Sequence, residues 1–139
     1  MQGPVNWRAA FLGGAVAIAA SAFFGTLVAN ITLWVLVLRG VPLEQAYADM
    51  WTSISSILIG EAVTILCNAA GGYAAASLAS TRFVVHSFLA GAMNLVFGVI
   101  AYATPMPTAA NIPFWMVIWN FMVPVPAALL GGYIYARRA

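Results

Sequence analysis

The chain has 139 residues, 64% of them hydrophobic and only 6% charged, and its mean hydropathy is +0.98. A soluble domain keeps its surface wet with roughly 25% charged residues, so the solvent of this chain is lipid. Five basic residues, all Arg, and three acids leave a net charge of +2 without any basic cluster, which excludes a nucleic-acid footprint.

Four apolar runs follow one another, each near or above the roughly 20 residues that span hydrocarbon. They cover about 9–38, 51–79, 83–103 and 114–136. The first is about twice as long as the h-region of a signal peptide, so it is expected to remain as a membrane span. Residues 39–49 then hold two of the three acids, Glu44 and Asp49. Pro42 followed by Glu44 reads as a first helical turn, giving a short interfacial helix or an extension of the second span. Ser80-Thr81-Arg82 makes a tight turn, and Thr104 to Pro113 is a Pro-rich loop.

With four spans, Arg8, Arg82, Arg137 and Arg138 share one side and Arg39 lies on the other. The positive-inside rule then places both termini in the cytoplasm. Trp34, Trp51, Tyr102 and Trp115 fall near the expected outer interface, and Trp7, Tyr133 and Tyr135 near the inner one. The expected fold is all-α: one polytopic membrane domain over residues 1–139, a four-transmembrane-helix bundle with N-in/C-in topology, in a bacterial-type inner (plasma) membrane. Phe11-Leu-Gly-Gly-Ala15 is echoed by Phe88-Leu-Ala-Gly-Ala92, and Gly71-Gly-Tyr73 by Gly131-Gly-Tyr133. This is a weak two-span internal repeat in parallel orientation, an arrangement that transporters use.

Small residues recur every fourth position in each span, the pattern that lets helices approach closely in lipid. Gly13, Ala17, Ser21, Gly25 and Ala29 form one such stripe; Gly60, Thr64, Asn68, Gly72 and Ala76 form another. His86, Ala90, Asn94 and Gly98 continue the pattern in span three, and Asn120, Pro124, Ala128 and Gly132 in span four.

Within the second span stands Glu61, the one acid far from any turn. A charged side chain at membrane depth costs about 2.5–3.5 kcal/mol on insertion scales, and a Gln would hold helices together without that cost. Counted from the outer ends of their spans, Asn30, Glu61, Asn94 and Asn120 lie at nearly one depth, roughly 10–15 Å down. Thr26 lies one turn from Asn30 and Asn68 two turns from Glu61. These six residues are the expected ion or ligand pathway, with Glu61 titratable at its centre. Amides suit either charge state of the acid because they both donate and accept. Pro124 and Pro126 are expected to break the fourth helix, freeing the carbonyls of Asn120 and Met122.

Gly25-Thr26-Leu27-Val-Ala-Asn30, preceded by Phe11-Leu-Gly-Gly-Ala15, resembles the opening of the fluoride-channel family, which is also small and four-span. That family's polar Thr-Thr-Phe-Ser break in its third span has no counterpart here, so no family is assigned from it.

No catalytic residue is expected, because Cys67 and His86 fall roughly 15 Å apart in depth. A nucleophile and its base need hydrogen-bond contact. A single Cys and a single His supply no metal or haem site, and no cofactor motif is present. The expected function is transport or conduction of a proton, small cation or small polar solute by a homo-oligomer. The alternative is a non-catalytic accessory or assembly subunit of a larger membrane complex.

Overall fold

The computed structural model describes residues 5–79, 81–103 and 114–139. Among them the chain is entirely helical: α1 Trp7–Leu38, α2 Leu43–Thr52, α3 Ile54–Ala79, α4 Phe83–Ala103, α5 Phe114–Met122 and α6 Pro124–Ala136. Four stretches are long and apolar enough to cross a membrane: α1, α3, α4 and the pair α5–α6. The two chain termini therefore lie at the same end of the bundle, here called the terminal end, with the α1–α2 connection at the distal end. The Pro-rich loop lies outside the described residues.

Local signals set the boundaries. Asn6 caps α1, its Oδ1 accepting from the Ala9 N–H at 3.3 Å, as short polar side chains do for orphan donors at helix starts. Gly40, with φ +88°, takes the left-handed conformation that follows the end of α1. Residues 43–52 form a separate helix, and Ser53 in extended conformation divides it from α3. The fourth span is interrupted at Val123, because Pro124 has no N–H to return to Asn120 and Pro126 none to return to Met122.

α3 packs on α1, α6 and α4, while α4 also packs on α1 and α6. The contacts are made through glycine and alanine, and they are reciprocal. A Cβ at Gly13 would meet Ala75 and the Gly71 carbonyl, and one at Gly71 would lie 2.6 Å from both the Ala17 Cβ and the Gly13 carbonyl. Gly72 abuts the Ala128 carbonyl, and Gly131 the Ala69 carbonyl. Gly132 abuts the Ser87 hydroxyl, and a Cβ at Gly91 would come within 3.0 Å of that of Ala128. These contacts form backbone-to-backbone seams over part of each small-residue stripe and beside it, the means of association available where lipid removes the hydrophobic drive between helices.

All of these seams lie in the terminal half. The buried residues of α1 end at Ala17, and those of α4 end at Gly91. In α6 they run from Pro124 to Gly132, and α5 has none. Tyr135 closes the terminal end, packing edge-on against Tyr73 at 5.3 Å and Phe83 at 5.2 Å.

Candidate functional site

Glu61 and Ile57 are one helical turn apart on the buried side of α3. Glu61 is 7% exposed, and its Oε2 is buried without a hydrogen-bond partner. The side chain of Trp119, on α5, is the polar group nearest to donating to it. An indole N–H can only donate, so this contact can serve one carboxyl oxygen and leaves the other open. A buried polar atom left so forfeits about 1–3 kcal/mol of desolvation energy. The acid is therefore held in place at a cost.

The amides separate into two groups. Asn68, fully buried, accepts at Oδ1 from Asn94 Nδ2 at 2.6 Å and donates its own Nδ2 to the Thr64 carbonyl at 2.9 Å. This pair joins α3 to α4. Asn30 and Asn120 are exposed, and each turns its Nδ2 back to its own helix, to Thr26 O at 2.8 Å and Met116 O at 3.0 Å. Thr26 is exposed as well. Among the described residues no hydrogen bond joins Glu61 to Asn30, Asn94 or Asn120.

The expected single polar layer is thus two levels. Asn94 sits at the depth of Asn68, which is seven residues, roughly 10 Å, along α3 from Glu61. The reason lies in which end of the bundle sets the register. Asn68 lies eleven residues before the end of α3, and Asn94 eleven after the start of α4. Counted from the tightly packed terminal end the two coincide. Counted from the distal end, where helices of unequal length splay, they do not. Along α1 the antiparallel seam pairs Gly13 with Ala75 and Ala17 with Gly71. Continued, that register brings Glu61 level with Leu27, next to Thr26.

Below Glu61 the bundle is closed by the Asn68–Asn94 pair, then by the glycine seams. Ser87 Oγ lies 2.9 Å from both Gly72 O and Phe83 O, locking α4 to α3. At the terminal end His86, fully buried, accepts at Nε2 from the Asn6 backbone N–H at 2.8 Å. Its Nδ1, 2.9 Å from the Arg82 carbonyl, is then the donor, which assigns the Nδ1-protonated tautomer from the network. Asn6 Nδ2 also reaches Leu78 O at 3.4 Å. One residue thereby ties the start of α1 to the end of α3 and the start of α4. Sequence spacing gave no sign of this latch, because its partners are 80 residues apart and one is a backbone amide.

Above Glu61 the structure opens. A Cβ at Gly25, Gly60 or Gly98 would meet nothing within 4 Å. A cavity of about 380 Å³ lies between α1 and α2, lined by Ser21, Thr26, Asn30, Tyr47 and Trp51 among others. Among the described residues no group of three His, Cys, Asp or Glu side chains could hold a metal ion. Compared with known protein families, curated proteins and solved structures, the chain matches none.

Proposed function

We propose that the chain is a small integral membrane transporter or channel for a proton, a small cation or a small polar solute, with Glu61 as its titratable group. The observation that carries this reading is the buried Glu61 carboxyl with one oxygen unpartnered, at the boundary between an open distal half and a closed terminal half. An acid kept only to hold helices together would be fully paired, as buried polar groups in folded proteins nearly always are. An intramembrane ionisable residue that keeps a coordination site open is suited to bind and release a proton or cation.

In this reading, access is from the distal side. The Asn68–Asn94 pair is the next polar step toward the terminal side, and the glycine seams below it are the closed gate. Loosening them would expose the same acid to the other face, as alternating access requires. The four arginines at the terminal end orient that end toward the cytoplasm. Asn30 and Asn120 expose amide groups at membrane depth, which favours a second copy covering them, and hence a homo-oligomer. The test is flux in proteoliposomes. Glu61→Gln is expected to abolish flux or its pH dependence while the helical spectrum stays unchanged. A variant that conducts like the wild type would end the proposal.

The same exposed amides favour a second reading, an accessory subunit whose distal half packs on a larger membrane complex. There Asn30→Leu would release the chain from a copurifying complex, and Glu61→Gln would leave no flux to lose.

A further inference from the structure

A cavity of about 530 Å³ lies at the distal end, between the last turns of α1, the end of α2 and the first turns of α3. Its two ends differ in chemistry. Arg39 and Asp49 line one end together with the hydroxyls of Thr52 and Ser56; Ile31 and Ile59 line the other. Neither Arg39 nor Asp49 has an ion pair or a side-chain hydrogen bond among the described residues. Two opposite charges thus face one cavity without neutralising each other.

That arrangement selects its occupant by charge. A simple anion would satisfy Arg39 and be repelled by Asp49; a simple cation would meet the reverse. A molecule carrying an anionic group and an ammonium satisfies both. Arg presents a planar fork matched to phosphate oxygens, and a carboxylate accepts from an ammonium. The apolar end extends this requirement. From Arg39 back to Ile31 is two turns of α1, roughly 12 Å, running from the interface toward the hydrocarbon. A free zwitterion would leave that wall unused, whereas an acyl chain continues along it.

We infer that this cavity binds a phospholipid with a zwitterionic phosphate–ammonium headgroup, its phosphate on Arg39, its ammonium on Asp49, and its acyl chain along Ile31 and Ile59. The site is separate from Glu61 and does not depend on transport.

The test is lipid binding to the purified, delipidated protein by native mass spectrometry. The probes are phosphatidylethanolamine and phosphatidylglycerol of equal chain length. The wild type is expected to prefer phosphatidylethanolamine by roughly tenfold. Arg39→Gln and Asp49→Asn should each bring that preference close to parity, while the exchanged pair, Arg39→Asp with Asp49→Arg, should restore it. Both residues are outside the glycine seams, and an unchanged helical spectrum checks that each variant folds. Equal binding of the two lipids by the wild type would overturn the inference, as would an undiminished preference in Asp49→Asn. Free phosphoethanolamine displacing the lipid at equal concentration would overturn it too, by showing that the acyl chain contributes nothing.

Discussion

The terminal and distal halves of the bundle are built from the same alphabet of small residues and use it oppositely. Gly72 and Gly131 are pressed against the carbonyls of Ala128 and Ala69, whereas Gly25, Gly60 and Gly98 face open space. In water, the difference would be explained by how much apolar area each half buries. In lipid that drive is missing, and close backbone approach with interhelical hydrogen bonds takes its place. The terminal half has both, through the seams, the Ser87 and Asn68–Asn94 bonds and the Asn6–His86 latch. The distal half lacks such seams, and the two cavities with polar linings, one between α1 and α2 and one beside Arg39 and Asp49, lie there. A small-residue stripe is therefore not in itself a packing signal; it packs only where both helices present one at the same depth.

The comparison can be broken most severely at the seams. Gly72→Leu or Gly131→Leu places a side chain in the partner backbone, and unfolding in detergent should show a loss above about 4 kcal/mol, or no folded protein at all. Asn6→Ala removes the α1 cap and the Leu78 contact; a loss of about 1–2 kcal/mol is expected, with faster hydrogen exchange at Ala9. Asn68→Leu leaves the Asn94 amide unpaired and should cost about 0.6 kcal/mol, up to about 1.7, measured against Asn94→Leu and the double variant. Gly98→Ala in the distal half should change stability by no more than about 0.5 kcal/mol. Equal penalties for Gly98→Ala and Gly72→Ala would erase the distinction between the halves.

Much of the fold was legible in the sequence. Span number and bounds followed from apolar length, and the break before Pro124 from the missing N–H. Residues 43–52 read equally as an interfacial helix or an extension of the second span, and they form an independent helix. What could not be read was which part of each stripe packs, since periodicity marks a face but not a depth. The same limit governed the site. Glu61 could be singled out by its chemistry, but its neighbour Trp119 could not, because an indole on an aromatic-rich α5 looks like lipid-facing surface. Counting from the distal ends sets Asn94 beside Glu61, whereas the register is fixed from the terminal turn, and counted from there Asn94 meets Asn68. Arg39 and Asp49 are ten residues apart, and only the turn between α1 and α2 sets them on one cavity.

The most direct measurement is thiol accessibility in intact membranes, using a membrane-impermeant maleimide. Native Cys67 is buried beside the closed half, and Thr26 lines the distal cavity. Wild-type Cys67 is expected to stay unlabelled in the folded protein, while Thr26→Cys in a Cys67→Ser background labels from the distal side alone. Labelling of Cys67 at the same rate, or no labelling of Thr26→Cys from either side, would contradict this expectation.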